Sequence, residues 1–344
     1  VNNLQIIESC FQENEEKENN WEFDYVVIRD TQGKVVVATY LTTSIQKDDL
    51  LHPAAVSEQV EKMRIEEGDP YYLTSKMLSV GSPVSLGNQL YVDLSSPYWK
   101  ESMESLLNIV EKIQQKNNAT SVMIRDFYEM DESLQKVIED AGFFKMDTFK
   151  NNVIETLPTS IDLLSKGVSK NARKHIRKKA IEGLDDFRAN IVANPSSEQI
   201  DMYYELYSNV KLTKAEINTF KLPKKMFVGL MNSRNWEVIE LVHDSTNQVA
   251  GYILSNVTNG IFTPTYIGLD YSFQDSNAYS KLLYLTIERA IELGAKKIEL
   301  GITADFEKQR FGAQSKQMFA YVQSSDHYNR EVVDNIFSKM KAFA

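Results

Sequence analysis

One order of elements occurs twice along this chain, and that repetition constrains the fold more than any other feature. In "WEFDYVVIRDTQGKVVVATYLTT" (21–43) two β-rich runs flank a turn containing Asp30 and Gly33, the pattern of a hairpin. "WEVIELVHDSTNQVAGYILSNV" (236–257) again begins Trp-Glu, turns between Asp244 and Asn247, and returns as an apolar strand. Next, "WKESMESLLNIVEKIQQKNNATSVMIRDF" (99–127) places Met103, Leu106, Leu107, Val110 and Ile113 on one helical stripe and follows it with a strand. "ESLQKVIEDAGFF" predicts a short helix closed at Gly142, and "FKMDTFKNNVIETL" a returning strand. The second half repeats the series. "YSKLLYLTIERAIELG" is an amphipathic helix stopped by Gly294, "KKIELG" a strand, "ADFEKQRFG" a short helix ended by Gly312, and "KQMFAYVQ" a strand. Both halves thus read hairpin, further strand, helix, strand, helix, strand. Strands alternating with helices imply an α/β (α+β) architecture, each half a mixed, mostly antiparallel sheet flanked by helices.

A length of 344 residues suits two such domains. Pro158, in "ETLPTSID" (155–162), breaks the strand pattern and sets the expected boundary, giving domains 1–157 and 158–344. Charge follows the division. Residues 1–155 hold 14 Lys+Arg against 27 Asp+Glu, net −13, whereas residues 156–344 hold 24 against 21, net +3. The first half would repel a nucleic-acid backbone, which argues against DNA as a partner, and the second is the better holder of an anion. No run of 18 apolar residues supports a membrane span. The chain starts at Val1, so a preceding segment could have been removed or could belong to a longer polypeptide. The single cysteine, Cys10, excludes an intramolecular disulfide and a cysteine-based zinc site, and favours a cytoplasmic location. His52, His175, His243 and His327 lack metal-ligand spacing, so no metal is expected, and no P-loop, dinucleotide fingerprint or serine elbow occurs.

"SKNARKHIRKK" (169–179) packs six cations into eleven residues with no acid. Ser169 suits an N-cap and Gly183 a helix terminator, and Ala172, Ile176, Ala180 and Leu184 form a thin apolar stripe. Such a run is either a solvated face or a phosphate site in which arginines bond oxygens bidentately. Arg173, Lys174 and Arg177 are the expected anion contacts, the two arginines sharing a face.

The series of elements resembles a tandem pair of GNAT (Gcn5-related N-acetyltransferase) folds, and most closely FemAB-like and BioF2-like acyltransferases. The motifs that carry the resemblance are "LLSKGVSKNARKHIRKKAIEGL" (163–184), "YIGLDYSF" (266–273) and "YSKLLYLTIERAIELGAKKIELGITADFEKQRFGA" (279–313), with Gly301, Lys308, Phe311 and Gly312 at the family's positions. One departure is clear. The glycine-containing loop that holds the CoA pyrophosphate in ordinary GNAT enzymes is replaced here by "FQDSNAYSK" and "SSPYWKES", neither with a glycine.

The resemblance implies an N-acyltransferase that moves an acyl group from acyl-CoA or an acyl-carrier thioester, as co-substrate rather than bound cofactor, to a small-molecule or peptide amine. It places Lys308 at the reacting centre, where an ammonium would stabilise an oxyanion. In "YIGLDYSF", read as a strand, Tyr266 and Asp270 fall on one face, and Asp270 could take the proton of the attacking amine. Glu299 is a second candidate base or a solvent-facing strand carboxylate, and Tyr279 and Tyr284 line an acyl cleft or pack in the core. The second domain would carry the chemistry. The first would shape the acceptor site or be degenerate. Two rivals stand beside this reading. One is a FemAB-type transferase fed by aminoacyl-tRNA, which "SSEQIDMYYELYSNVKLTKAEINTFKLPKKMFVGLMN" (196–232) disfavours because it reads as ordinary helices and not a long coiled-coil arm. The other is a non-catalytic GNAT-like module fused to or associated with a biosynthetic enzyme such as a pyridoxal-phosphate oxoamine synthase.

Overall fold

The computed structural model describes residues 2–213, 217–325 and 327–342. In the first half of the chain the elements are α1 (Asn2–Cys10), β1 (Glu22–Arg29), β2 (Val35–Lys47), α2 (Ala54–Glu67), β3 (Thr74–Val80), β4 (Tyr91–Val92), α3 (Trp99–Asn117), β5 (Ser121–Phe127), α4 (Glu132–Asp140) and β6 (Phe144–Ile154). Local chemistry accounts for their limits. Asp30 Oδ1 accepts the amides of Gln32 and Lys34, both at 2.9 Å, and Gly33 takes φ +83°, closing the β1–β2 hairpin. On α3 the stripe of Met103, Leu106 and Val110 is buried, and the helix ends at Asn118 in a left-handed conformation. Asp131 caps α4 by accepting the amides of Ser133 and Leu134.

The second half contains α5 (Ile161–Gly167), α6 (Lys170–Ile176), β7 (Phe187–Val192), α7 (Ser197–Thr213), α8 (Lys224–Met231), β8 (Trp236–His243), β9 (Gln248–Thr258), β10 (Ile261–Leu269), α9 (Ala278–Glu292), β11 (Lys297–Gly301), α10 (Asp305–Arg310), β12 (Gln314–Ser324) and α11 (Tyr328–Ala342). The hairpin β8–β9, the strand β10 and the series α9, β11, α10, β12 reproduce the order of the first half. Among the described residues, no helix is long and apolar enough to cross a membrane. Cys10 is buried in α1, where its thiol donates to the Lys225 carbonyl in α8.

Two compact units form, and they are not the linear halves cut at 157/158. The first comprises Phe11–Phe149, Ala215–Phe220 and Gln317–Ala344, and the second Val1–Cys10, Lys150–Lys214 and Lys221–Lys316. In the first, β1, β2, β3, β5 and β12 lie side by side, with β4 also on β2. The second orders its strands β6, β11, β10, β9, β8, β7. The last strand of each repeat therefore serves the other repeat. β12 closes the first unit against β5 from Phe319↔Phe127 to Ser324↔Ser121, and the end of β6 pairs with β11 at Ile154↔Ile298 and Val153↔Glu299. Hydrophobic pattern announces a strand, but not its neighbour, because any matching apolar face can cover it.

Each unit buries its own core. Leu41, Leu78, Met103, Leu106, Ile124 and Tyr321 centre the first, and Ile176, Phe262, Leu283, Ile287, Ile298 and Phe311 the second. The first unit also buries a charged network. Arg64, 3% exposed, binds the fully buried Asp49 at 2.8 Å, and its NH1 reaches Glu61, which also receives Lys47 at 2.6 Å. The buried Asn218 amide donates to both Asp49 and Glu61 at 2.7 Å, so the acids are held from several sides.

Candidate functional site

Among the described residues each unit shows a parallel strand pair, and the two pairs differ. In the first unit β3 and β5 stay in register from Met77↔Ser121 to Val80↔Ile124. In the second, β10 and β11 pair only at Ile261↔Lys297 and Phe262↔Ile298. Beyond that point β10 continues along β9 to Leu269, while β11 follows β6 to Gly301. The two strands part company, leaving backbone groups on their facing edges without a ladder partner from the other strand.

Helix α9 begins just after β10. Its N-cap, Asn277, has φ +57° and makes no side-chain bond to the first-turn amides. A helix start of this kind concentrates N–H donors and the positive end of the helix dipole. The basic segment is brought to this point. Lys179 Nζ donates to Asn277 Oδ1 at 2.9 Å, and Lys281, in the first turn of α9, donates to the Glu182 carbonyl at 2.8 Å. Lys281 is 2% exposed, and burial holds its ammonium below the usual lysine range against the opposing pull of the Asp186 and Glu182 carboxylates.

A single carboxylate ties the three helices together. Glu307 on α10 receives Ser280 Oγ from α9 at 2.5 Å, and its other oxygen lies 2.8 Å from His175 Nε2 on α6. The order is serine, glutamate, histidine with the acid in the middle. It fixes positions and does not activate the hydroxyl, since among the described residues no hydrogen bond joins Ser280 to His175.

The basic helix is built as its sequence suggests at its start. Ser169 Oγ accepts the Ala172 amide, and Ala172, Ile176 and Ala180 are buried. Past Ile176 it widens into a π turn, Arg177–Ile181, and Gly183 ends it at φ +69°. Arg173 does not stand free for a ligand. Its NH1 donates to the carbonyls of Lys166, in the last turn of α5, and Val168, just past it, satisfying groups that a short helix leaves open. Arg177 is exposed with Glu182 at 3.8 Å, and Lys174 is exposed. The cation in contact with the start of α9 is Lys179.

Lys308 is 6% exposed, and its ammonium donates to the carbonyls of Gly301 at 3.2 Å and Ile302 at 2.8 Å, tying α10 to the end of β11. Asp270 is not in a strand. β10 stops at Leu269, and the Asp270 carboxylate accepts the Ser272 amide at 2.9 Å as the cap of a 3-10 turn, since a short acid satisfies amides at such a break. A bulge lies between Pro264 and Tyr266, and the Tyr266 ring packs on Phe227. Glu299 points into an ion pair with Lys297 at 2.9 Å. Tyr284 packs half-buried on the cluster of Leu164, Leu283 and Ile287, and burial, with Glu288 and Asp162, raises its phenol. Tyr279 is half-buried in the first turn of α9.

The sequence reading passed over Lys179, Lys281, Ser280 and Glu307. Asn277 and Ser280 stand within the segment compared with the family's phosphate loop, which was a usable signal. Pairings such as Lys179–Asn277 join residues about a hundred positions apart, and no local pattern reports them.

Residues 170–309 match the family model described as "Acetyltransferase (GNAT) domain". Along most of its length the structure is similar to a tandem GNAT protein from the clavulanic acid biosynthesis pathway, with TM-score 0.55, 13% identity, and coverage of 89% of this chain and 84% of that one. This is a tandem GNAT fold. It is similar also to L-PGS from Bacillus licheniformis (TM-score 0.55, 10% identity, 98% and 95% covered) and to FemX (TM-score 0.54, 13% identity, 92% and 90% covered). No curated protein matches the sequence. The parted strands β10 and β11 lie in the GNAT unit that the family model covers, as do Lys179, Lys281 and Glu307.

Proposed function

We propose that the protein is an N-acyltransferase whose second GNAT unit takes an acyl thioester of CoA, or of a carrier bearing the same phosphate-linked arm, and passes the acyl group to an amine. The observation that carries this reading is the delivery of Lys179 to Asn277 at the uncapped start of α9, the helix that follows the strand β10 that parts from β11. Phosphate oxygens would take first-turn amides of α9 and the Lys179 ammonium, which would exchange Asn277 for the ligand. The thioester arm would run into the gap between β10 and β11, where strand amides that the two strands do not exchange with each other could bond its carbonyl oxygen.

The amine attacks the thioester carbon, a C–N bond forms, and the oxyanion is stabilised by those amides. Collapse breaks the C–S bond, and the thiolate leaves as a thiol with the proton released by the amine. Asp270, at the end of β10 with one carboxylate oxygen engaged by Ser272, is the proposed acceptor of that proton. Lys308 acts through the backbone it holds: by fixing the Gly301 and Ile302 carbonyls it sets the exit of β11 from the gap. The match of residues 170–309 to the acetyltransferase (GNAT) domain model supports acyl transfer as the reaction class.

Isothermal titration with CoA tests the donor. Micromolar binding to the wild type, weakened in Lys179→Ala, supports the reading, and absence of CoA binding by the folded protein sinks it. Exposed Lys170, Lys174, Arg177 and Lys178 leave room for a longer polyanion. Binding of aminoacyl-tRNA without CoA would favour that donor instead.

A further inference from the structure

The repeat exposes an anomaly in the first unit. In the second unit β11 ends with an irregular step: Glu299 pairs with Val153 and Gly301 with Asn152, and Gly301 takes φ +79°. The first unit makes the matching step where β5 leads towards α4. Phe127 pairs with Phe319 and Ile124 with Tyr321, so Arg125 and Asp126 together face one position, and Asp126 takes φ +66°. A glycine serves at this bend in one repeat. The other holds an aspartate that is 3% exposed. A buried carboxylate in a left-handed conformation inside a strand carries two costs that glycine avoids.

Its surroundings show what it does. Asp126 Oδ2 accepts Arg125 Nε at 3.0 Å, and a backbone bond from Gly87, at φ +94°, supports the same carboxylate. Arg125 is half-buried, its side chain 18% exposed, and among the described residues the hydrogen bond its guanidinium makes is through Nε. Tyr40, whose hydroxyl lies 3.3 Å from Ser85 Oγ, interacts electrostatically with both Arg125 and Asp126. A buried acid that grips Nε orients a guanidinium and leaves NH1 and NH2 as a two-pronged donor edge, the geometry that fits one carboxylate. A phosphate dianion fits less well, because the single cation is already shared with Asp126 and this half of the chain is strongly acidic.

We propose that Arg125, held by Asp126 and near Tyr40, is a binding site in the first unit for the carboxylate of an amino acid or short peptide. Arg125 is the binding residue and Asp126 the positioning residue. The site lies within the first unit and does not depend on the donor proposed for the second.

The test is thermal shift and calorimetry on the full chain, without CoA, using the twenty amino acids and dialanine, each beside its carboxamide, and inorganic phosphate. At least one acid is expected to raise Tm and bind, with its carboxamide at least tenfold weaker. Arg125→Gln and Asp126→Asn should each weaken that binding tenfold or more while remaining folded. Asp126→Gly, which restores the residue used in the other repeat, should keep a Tm no lower than wild type and lose the response to ligand. The proposal is overturned if no acid binds the folded wild type, if carboxamides or phosphate bind as well as the acids, or if Arg125→Gln binds undiminished. None of these results bears on CoA binding, so the two proposals fail separately.

Discussion

Lys179 donates to Asn277 Oδ1 across 2.9 Å, so the last lysine of the basic segment sits at the residue that opens α9. Lys179→Ala is expected to leave Tm within a degree or two and to weaken CoA about tenfold, the loss of a charged hydrogen bond of roughly 1.5 kcal/mol. Titration calorimetry at two salt concentrations checks this, and an unchanged affinity would remove Lys179 from the donor site.

Lys308→Met should act mainly on stability. It removes the ammonium from the Ile302 carbonyl, while Gly301 keeps the Asn152 amide, at a cost of about 1–3 kcal/mol. Chemical denaturation measures the loss. CoA affinity should stay within about twofold, and a variant as stable as wild type but inactive would assign Lys308 a direct chemical role instead.

Acid should loosen the first unit through Glu61. Burial alone would raise this carboxyl, but hydrogen bonds from Lys47 and Asn218 and the charges of Lys47 and Arg64 outweigh it and hold it at about 2, against an ordinary 4.5. A depressed folded value stabilises above the unfolded pKa and is lost as pH falls through the folded one. Tm should therefore drop between pH 4.5 and 2, and Glu61→Gln should flatten that part of the profile while lowering Tm at pH 7. An identical acid profile in the variant would contradict the assignment.

Gly268 on β10 marks a close approach. A Cβ there would lie 2.3 Å from Tyr252 Cε1, 2.7 Å from Leu206 Cβ and 2.8 Å from the Leu206 backbone carbon. Because a helix backbone cannot yield as a flexible side chain can, Gly268→Ala should destabilise by about 1–3 kcal/mol. Equilibrium urea unfolding would show a lower midpoint at unchanged slope.

Periodicity and turn chemistry made much of the fold legible. The stripe on α3, the Asp30–Gly33 turn and the closing glycines Gly142, Gly294 and Gly312 fall where their spacing places them. What stayed hidden depends on long-range pairing. Neither the exchange of β6 and β12 nor the parting of β10 from β11 leaves a mark on local hydrophobicity. At the candidate site, the charge run marks a segment but does not say which of its cations meet other elements. Arg173 looked like a ligand because arginine suits phosphate, yet two unsatisfied carbonyls had the prior claim. Lys308 was singled out by motif, whereas the structure gives it backbone carbonyls to hold, a use that a motif cannot distinguish from catalysis.

The crossing of β12 sets a timetable for synthesis. Most of the first unit leaves the ribosome early, but the strand that covers β5 is made only after residue 317. Until then the edge of β5 lies open, and translation of the whole intervening segment must finish before the first sheet can close. A nascent chain in this state exposes an unpaired strand for many seconds at ordinary elongation rates. Truncation before β12 should therefore yield an aggregating product and not a smaller folded domain.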